Sequence, residues 1–307
     1  MRPGEVGVGG LGARDWRAAK RHVEVLGHNL AYVALRPGAP GFTFVLLHGN
    51  PTSSFLWRDV VGHLEGLGRI FVPDLLGMGD SAKVADPGPR SYRFAEHRDH
   101  LDGLLEALEV TERVVLVAHD WGGALAFDWA NRHRDAVAGI AYMETIVRPL
   151  GWDEWAPGGV DIFRAMRSDA GETIVLEKNV FVERILPASV LSPLPVEVMD
   201  EYRRPFAAPG EDRRPTLTWP RELPIAGEPA DVVAVVQGYA DWLAVADVPK
   251  LFVNAEPGSI LVGAQREFCR AWPHLTEVTV PAAHFVPEDA GHAVGDAVAG
   301  WARRLPR

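Results

Sequence analysis

Apolar and polar residues alternate along two short stretches, His22–Leu26 and Leu30–Leu35, on either side of Gly27-His28-Asn29. A period of two turns one side of each stretch toward a core, and the segment between them is built for a turn, so the pair reads as a β-hairpin. Four later runs are apolar without alternation: Phe42–Leu47, Ile70–Pro73, Val114–Ala118 and Ala138–Met143. Strands that are apolar on both sides are covered on both faces, as in a parallel sheet. Between two of these runs, Leu101, Leu104, Leu105 and Leu108 fall at helical spacing. Strands alternating with helices predict a mostly parallel sheet with helices on both faces.

From Val147 to Glu228 the pattern changes. Prolines cluster, aromatic residues are frequent and no strand period is visible. Short helices such as Val160–Arg167 and Val196–Tyr202 fit a helical cap over 147–228, inserted into a core domain made of 21–146 and 229–307. The sheet pattern resumes with Lys250–Asn254 and Thr276–Val280, and a last helix is expected over roughly Asp289–Arg304. Residues 1–20, rich in Gly and Arg, read as a loose N-terminal extension.

The chain has 307 residues with a formal net charge of −10. An acidic surface argues against nucleic acid or an anionic membrane as a partner, since both call for a basic face. Cys269 is the only cysteine, which excludes an intrachain disulfide and a thiolate metal cluster. No stretch reaches the roughly 18 apolar residues of a membrane span, and the first twenty residues lack the apolar core of a secretion signal. These features lead to the expectation of a cytoplasmic enzyme.

The chemistry concentrates at Leu116-Val117-Ala118-His119-Asp120-Trp121-Gly122-Gly123. A β-branched run stops in a small-x-nucleophile-x-small pattern, and Ala124-Leu125-Ala126-Phe127 then begins a helix. A strand that turns so sharply into a helix needs small residues around the bend, and the central side chain is pushed into the open. The pattern resembles the nucleophile elbow of the α/β-hydrolases, with aspartate where serine is usual. A carboxylate there attacks carbon directly and forms an alkyl ester. The blander reading makes Asp120 a helix N-cap.

Other residues fit around it. His48-Gly49-Asn50-Pro51 follows the third strand, where this fold places its oxyanion loop, and the Asn50 amide and Trp121 indole are uncharged donors suited to a departing halide. The blander readings are a turn for the first and core packing for the second. Of eleven histidines, only His284, just after the last strand, has the position of the general base; His119 adjoins Asp120 but points the other way along its strand. The acid that orients His284 usually follows the strand Lys250–Asn254, yet the expected position is about Gly258. Glu144, at the end of Ala141-Tyr142-Met143-Glu144, reaches the same place from the neighbouring strand; Glu256 is its rival.

With Asn50, Asp120, Trp121, Glu144 and His284 assembled, the chain resembles the haloalkane dehalogenases, in particular the subfamily that takes its acid from the end of the sixth strand. The shared segments include 48–54, 119–122, 142–144, 179–183, 213–220, 254–258 and 283–285. The cap segments are most similar to members acting on hexachlorocyclohexane-type and chain haloalkanes. Asp80 departs from the pattern.

The resemblance implies an α/β-hydrolase fold with an eight-stranded sheet and an inserted helical cap. It implies catalytic roles for Asp120, His284 and Glu144, halide binding by Asn50 and Trp121, and no cofactor and no metal. A small halogenated hydrocarbon and halide are the implied partners of a monomer or weak homo-oligomer. Phe163, Phe181, Ile185 and Ser189 from the cap, with Ser189 at the mouth, would line the pocket, together with Trp219, Pro220, Leu223 and Ile260. An epoxide hydrolase would share Asp120 and His284 but needs cap tyrosines, and only Tyr202 lies in the cap. A luciferase-like oxygenase on this scaffold and a non-enzymatic small-ligand receptor are the other readings.

Overall fold

Eight strands hydrogen-bond in the order β1-β2-β4-β3-β5-β6-β7-β8. The computed structural model describes residues 10–155 and 157–306. Its strands are β1 (Lys20–Val25), β2 (His28–Leu35), β3 (Phe42–Leu47), β4 (Gly68–Pro73), β5 (Val114–Asp120), β6 (Val137–Thr145), β7 (Lys250–Pro257) and β8 (Leu275–Ala282). Strand β2 runs antiparallel to β1 and β4, and all other neighbours are parallel. The expected mostly parallel, eight-stranded sheet is what forms.

The apolar runs explain the middle of the sheet. Every residue of β3 and β5 is buried, because one hydrophobic cluster covers each face. One contains Phe127, Tyr142, Tyr239 and Trp272, and the other Trp57, Val117, Val253 and Trp301. Leu101, Leu104 and Leu105 bury one side of the helix Phe94–Ala107. The last helix, Val286–Ala302, starts earlier than expected, with a proline in its first turn where the missing N–H has no partner to lose.

Residues 10–20 correct the picture of a loose extension; residues 1–9 of it lie outside the described residues. A helix runs over Ala13–Ala18, and Trp16 is fully buried, its indole N–H donating to Ser54 Oγ at 3.0 Å. Lys20 opens β1, and its ammonium lies 2.6 Å from both Asp74 Oδ2 and Asp80 Oδ2. Asp80 also pairs with Arg204 at 2.6 Å. Burial opposes a charge on Lys20, yet the two carboxylates raise its pKa above the ordinary lysine value.

Between β6 and β7 the described chain forms short helices joined by turns and irregular segments, with isolated bridges and no strand. Leu150 pairs with Ile225 near the ends of the insert, and Ala226 N–H donates to Leu150 O at 2.9 Å. Within it, buried Arg213 donates to the carbonyls of Leu176, Glu177, Phe206 and Ala207. One guanidinium thus gathers carbonyls from the ends of two short helical segments, adding to the Gly210 N–H that Leu176 O already accepts at 2.9 Å. The helix Ala230–Leu243 returns to the sheet, where Tyr239 packs on Phe127 with ring centroids 5.4 Å apart. Among the described residues no helix is long and apolar enough to cross a membrane.

Candidate active site

Strand β5 ends at Asp120 and a helix begins at Trp121. Asp120 has φ 53° and ψ −128°, a conformation that costs a non-glycine residue about 1–3 kcal/mol. The bend is held by Thr145 Oγ1, which donates to Asp120 O at 2.6 Å. The small residue after the bend is required: a β-carbon on Gly122 would meet Leu47 O at 2.3 Å. Asp120 occupies the N-cap position, but its side chain makes no capping bond. Its Oδ1 instead accepts the Asn50 N–H at 2.7 Å, and the adjacent Trp121 N–H favours the charge on the carboxylate. Burial opposes the charge on Asp120, but His284 and these amides outweigh it, so its pKa falls below the ordinary aspartate value.

His284 follows β8 and stands between two carboxylates. Its Nε2 lies 3.6 Å from Asp120 Oδ2 and its Nδ1 3.4 Å from Glu144 Oε2. Burial favours the neutral ring, yet the paired carboxylates push its pKa up to about 9. His119 has a different place. It is fully buried, its pKa is pushed down to about 3 by burial, and its Nε2 lies 2.8 Å from His284 O. As a neutral ring donating from Nε2, it braces the backbone that carries His284. Sequence alone showed only that His119 points away from the elbow; its contact with a residue 165 positions later is a product of the fold.

Glu144 lies in β6 with its side chain wholly buried. Oε2 accepts the Ile260 N–H at 2.8 Å and Oε1 the Leu261 N–H at 3.2 Å. The loop after β7, where an acid was an alternative, therefore supplies donors to Glu144. Glu256 is 61% exposed and pairs with Arg266 at 3.0 Å, so it is no part of this cluster.

Asp120, His284, Asn50 and Trp121 open onto a cavity of about 510 Å³ between the sheet and the insert. Phe163, Phe181, Ile185, Ser189, Pro220, Leu223 and Ile260 line it. Trp219 does not. It is fully buried behind Trp121, stacked on that ring at 4.5 Å and on His97 at 4.2 Å. An indole lining a wall and one packed behind it read identically in sequence. The cavity also takes in Ile146, Trp155, Ile162 and the exposed Arg184, which no motif marked. Asn50 Nδ2 donates to Thr216 O at 3.3 Å, while its Oδ1 is buried without a partner among the described residues. Among those residues no group of His, Cys, Asp and Glu is placed to hold a metal ion.

Residues 43–291 match the family described as alpha/beta hydrolase fold. A haloalkane dehalogenase from Sphingobium indicum is 53% identical over 295 residues, covering 96% of this chain and 98% of that protein. The chain belongs to the haloalkane dehalogenases. A second haloalkane dehalogenase, from Mycolicibacterium smegmatis, is 51% identical over 92% of this chain and 90% of its own length. The crystal structure of a haloalkane dehalogenase from Bradyrhizobium elkani superposes with a TM-score of 0.86 at 41% identity, covering 92% of this chain and 97% of that one.

Proposed function

We propose that this haloalkane dehalogenase hydrolyses haloalkanes to an alcohol, a halide ion and a proton through an ester on Asp120. The observation that carries the reading is the Asp120 carboxylate. It is ionised, bonded to the Asn50 N–H, favoured by the adjacent Trp121 N–H, open to a largely apolar cavity and within 3.6 Å of His284. Asn50 occupies Oδ1, which leaves Oδ2 to attack the halogen-bearing carbon in line. The carbon–halogen bond breaks as the Oδ2–carbon bond forms, and the halide departs toward the Trp121 indole and the Asn50 amide. The insert over 147–228 acts as a cap, its Phe163, Phe181, Ile185, Pro220 and Leu223 excluding water from the attack. The sequence expectation of hexachlorocyclohexane-type and chain haloalkanes as substrates belongs to this reading.

Ester formation removes the charge on Asp120. The resting imidazole is held protonated partly by that charge, so alkylation lowers its pKa and its proton leaves to solvent. Neutral His284 then takes a proton from water at Nε2 while the water oxygen adds to the Asp120 carbonyl carbon. The Asn50 and Trp121 N–H groups hold the oxygen that gains negative charge. Collapse expels the alcohol and restores the carboxylate, with Glu144 steadying the imidazolium.

An epoxide hydrolase would protonate its ring oxygen from the cap. Tyr202, the one cap tyrosine, is buried and hydrogen-bonded to Glu288, outside the cavity lining. The direct test is His284→Ala incubated with a bromoalkane. It should release about one halide per site and then stall, with the alkyl mass retained on the protein. A full halide burst on an unmodified mass would overturn the scheme, and absence of halide release from 1,2-dibromoethane by the native enzyme would favour the oxygenase or receptor readings.

A further inference from the structure

His284 is borne on Ala283–Phe285, a short connection between β8 and the last helix, and the nearest part of the insert is Ser189–Leu191. Two sets of hydrogen bonds lace these segments together. Ser189 O accepts the N–H of His284 at 3.1 Å and of Phe285 at 3.3 Å. The Asp289 carboxylate spans the same gap: Oδ1 accepts the Leu191 N–H at 2.8 Å and Oδ2 the Ala283 N–H at 2.9 Å. Each oxygen holds a different segment, one residue or two from those that Ser189 joins.

Asp289 lies in the first turn of the helix Val286–Ala302, where a carboxylate is favourable on any account. Its bonds show more than that. They run outward to two loops, and the helix has no side-chain cap. Its neighbour Glu288 makes a different connection, to Arg58 at 2.6 Å and to Tyr202. The same turn therefore separates anchoring of the helix, by Glu288, from alignment of the His284 loop, by Asp289.

We propose that Asp289 is a positioning residue, coupling the cap segment Ser189–Leu191 to Ala283 and so holding His284 in line between Asp120 and Glu144. Charged and titratable groups facing the imidazole are Asp120 and Glu144, with His119 packed beside it at a ring separation of 4.8 Å. Without Asp289, Ala283 and Leu191 lose a shared acceptor, and the loop carrying the imidazole is held only by Ser189 O and His119, which widens its play between the two carboxylates. Alignment of this kind is steep: a misplacement of about 1 Å can slow a reaction about 100-fold.

The test follows the imidazole itself by nitrogen-15 NMR titration of His284 in the full chain, for wild type, Asp289→Asn, Asp289→Ala and Glu288→Gln. Asp289→Ala should bring the His284 midpoint down toward the ordinary imidazole range. Asp289→Asn should fall between, since its amide oxygen keeps one bond and its NH₂ confronts the other N–H. Glu288→Gln, which breaks a buried ion pair of the same turn, should lower stability and leave the midpoint in place. A second readout rests on the mechanism proposed above: ester hydrolysis should slow about tenfold or more in Asp289→Ala, while the halide burst from Asp120 stays within about twofold of wild type. An unchanged midpoint in both Asp289 variants overturns the proposal, and so does equal loss of burst and hydrolysis. Absence of any burst in the wild type would overturn the haloalkane mechanism instead, and the titration would still judge Asp289.

Discussion

Gly258 leaves open the space that the Glu144 carboxylate fills. A β-carbon at position 258 would stand 3.1 Å from Glu144 Oε1 and 2.9 Å from Ala255 O, on a backbone with φ +73°. The end of β6 and the loop after β7 thus converge on one carboxylate site. Here the carboxylate comes from β6 and the N–H donors, Ile260 and Leu261, from the loop.

This arrangement ranks two acids. Glu144→Gln should leave the halide burst nearly intact and slow ester hydrolysis by orders of magnitude, because the imidazolium loses its counter-charge. Glu256→Gln should be close to neutral, since an exposed pair such as Glu256–Arg266 contributes about 0–1 kcal/mol. Stopped-flow halide release with quenched-flow product analysis separates the two steps. The opposite ranking would move the acid to the loop after β7.

The coupling of His284 to Asp120 also sets a pH window for stability. His284 is raised from an ordinary 6.5 to about 9, and Asp120 is lowered. The histidine part of this stability is complete below pH 6.5 and is lost as the pH climbs through 9, because the folded state holds the proton more tightly than the unfolded chain does. Urea denaturation of wild type and Asp120→Asn at intervals from pH 6 to 10 should show the stability difference, wild type minus variant, declining across that range. A difference that stays flat would mean the two side chains are not ion-paired in solution.

Halide binding should depend on Trp121 and not on the indole behind it. A hydrogen bond to a charged group is worth about 1.5–3 kcal/mol, so Trp121→Phe should bind bromide roughly 10- to 100-fold more weakly and lose its share of iodide quenching. Trp219→Phe should keep both, because Trp219 is stacked behind Trp121 and does not border the cavity. Fluorescence titration decides between them, and equal loss in the two variants would place the halide between the rings.

The N-terminal helix should matter for stability and not for chemistry. Trp16→Ala removes a fully buried indole and should cost about 3–5 kcal/mol by chemical denaturation. Turnover per folded molecule should remain within about twofold, as the helix Ala13–Ala18 borders neither Asp120 nor the cavity. A stability change under about 1 kcal/mol would show that Trp16 is not buried in solution.

By itself the sequence determined what depends on near neighbours along the chain. Runs apolar on both sides located the central strands, helical spacing of Leu101, Leu104 and Leu105 found the helix Phe94–Ala107 without its bounds, and the small residues around Asp120 marked the bend. Asn50, His284 and Glu144 were legible for the same reason, each lying at a strand end that local pattern identifies. Tertiary structure alone decided what each buried side chain faces. Trp16 and Lys20 looked like part of a loose tail because Ser54 and Asp74 lie 38 and 54 residues away. Trp219 looked like pocket wall, His119 looked turned away from the site, and Asp289 marked only a helix start, because their partners are Trp121, the His284 carbonyl and the Ala283 amide. Periodicity records which side of an element leaves water; it holds no record of which distant segment arrives to cover it.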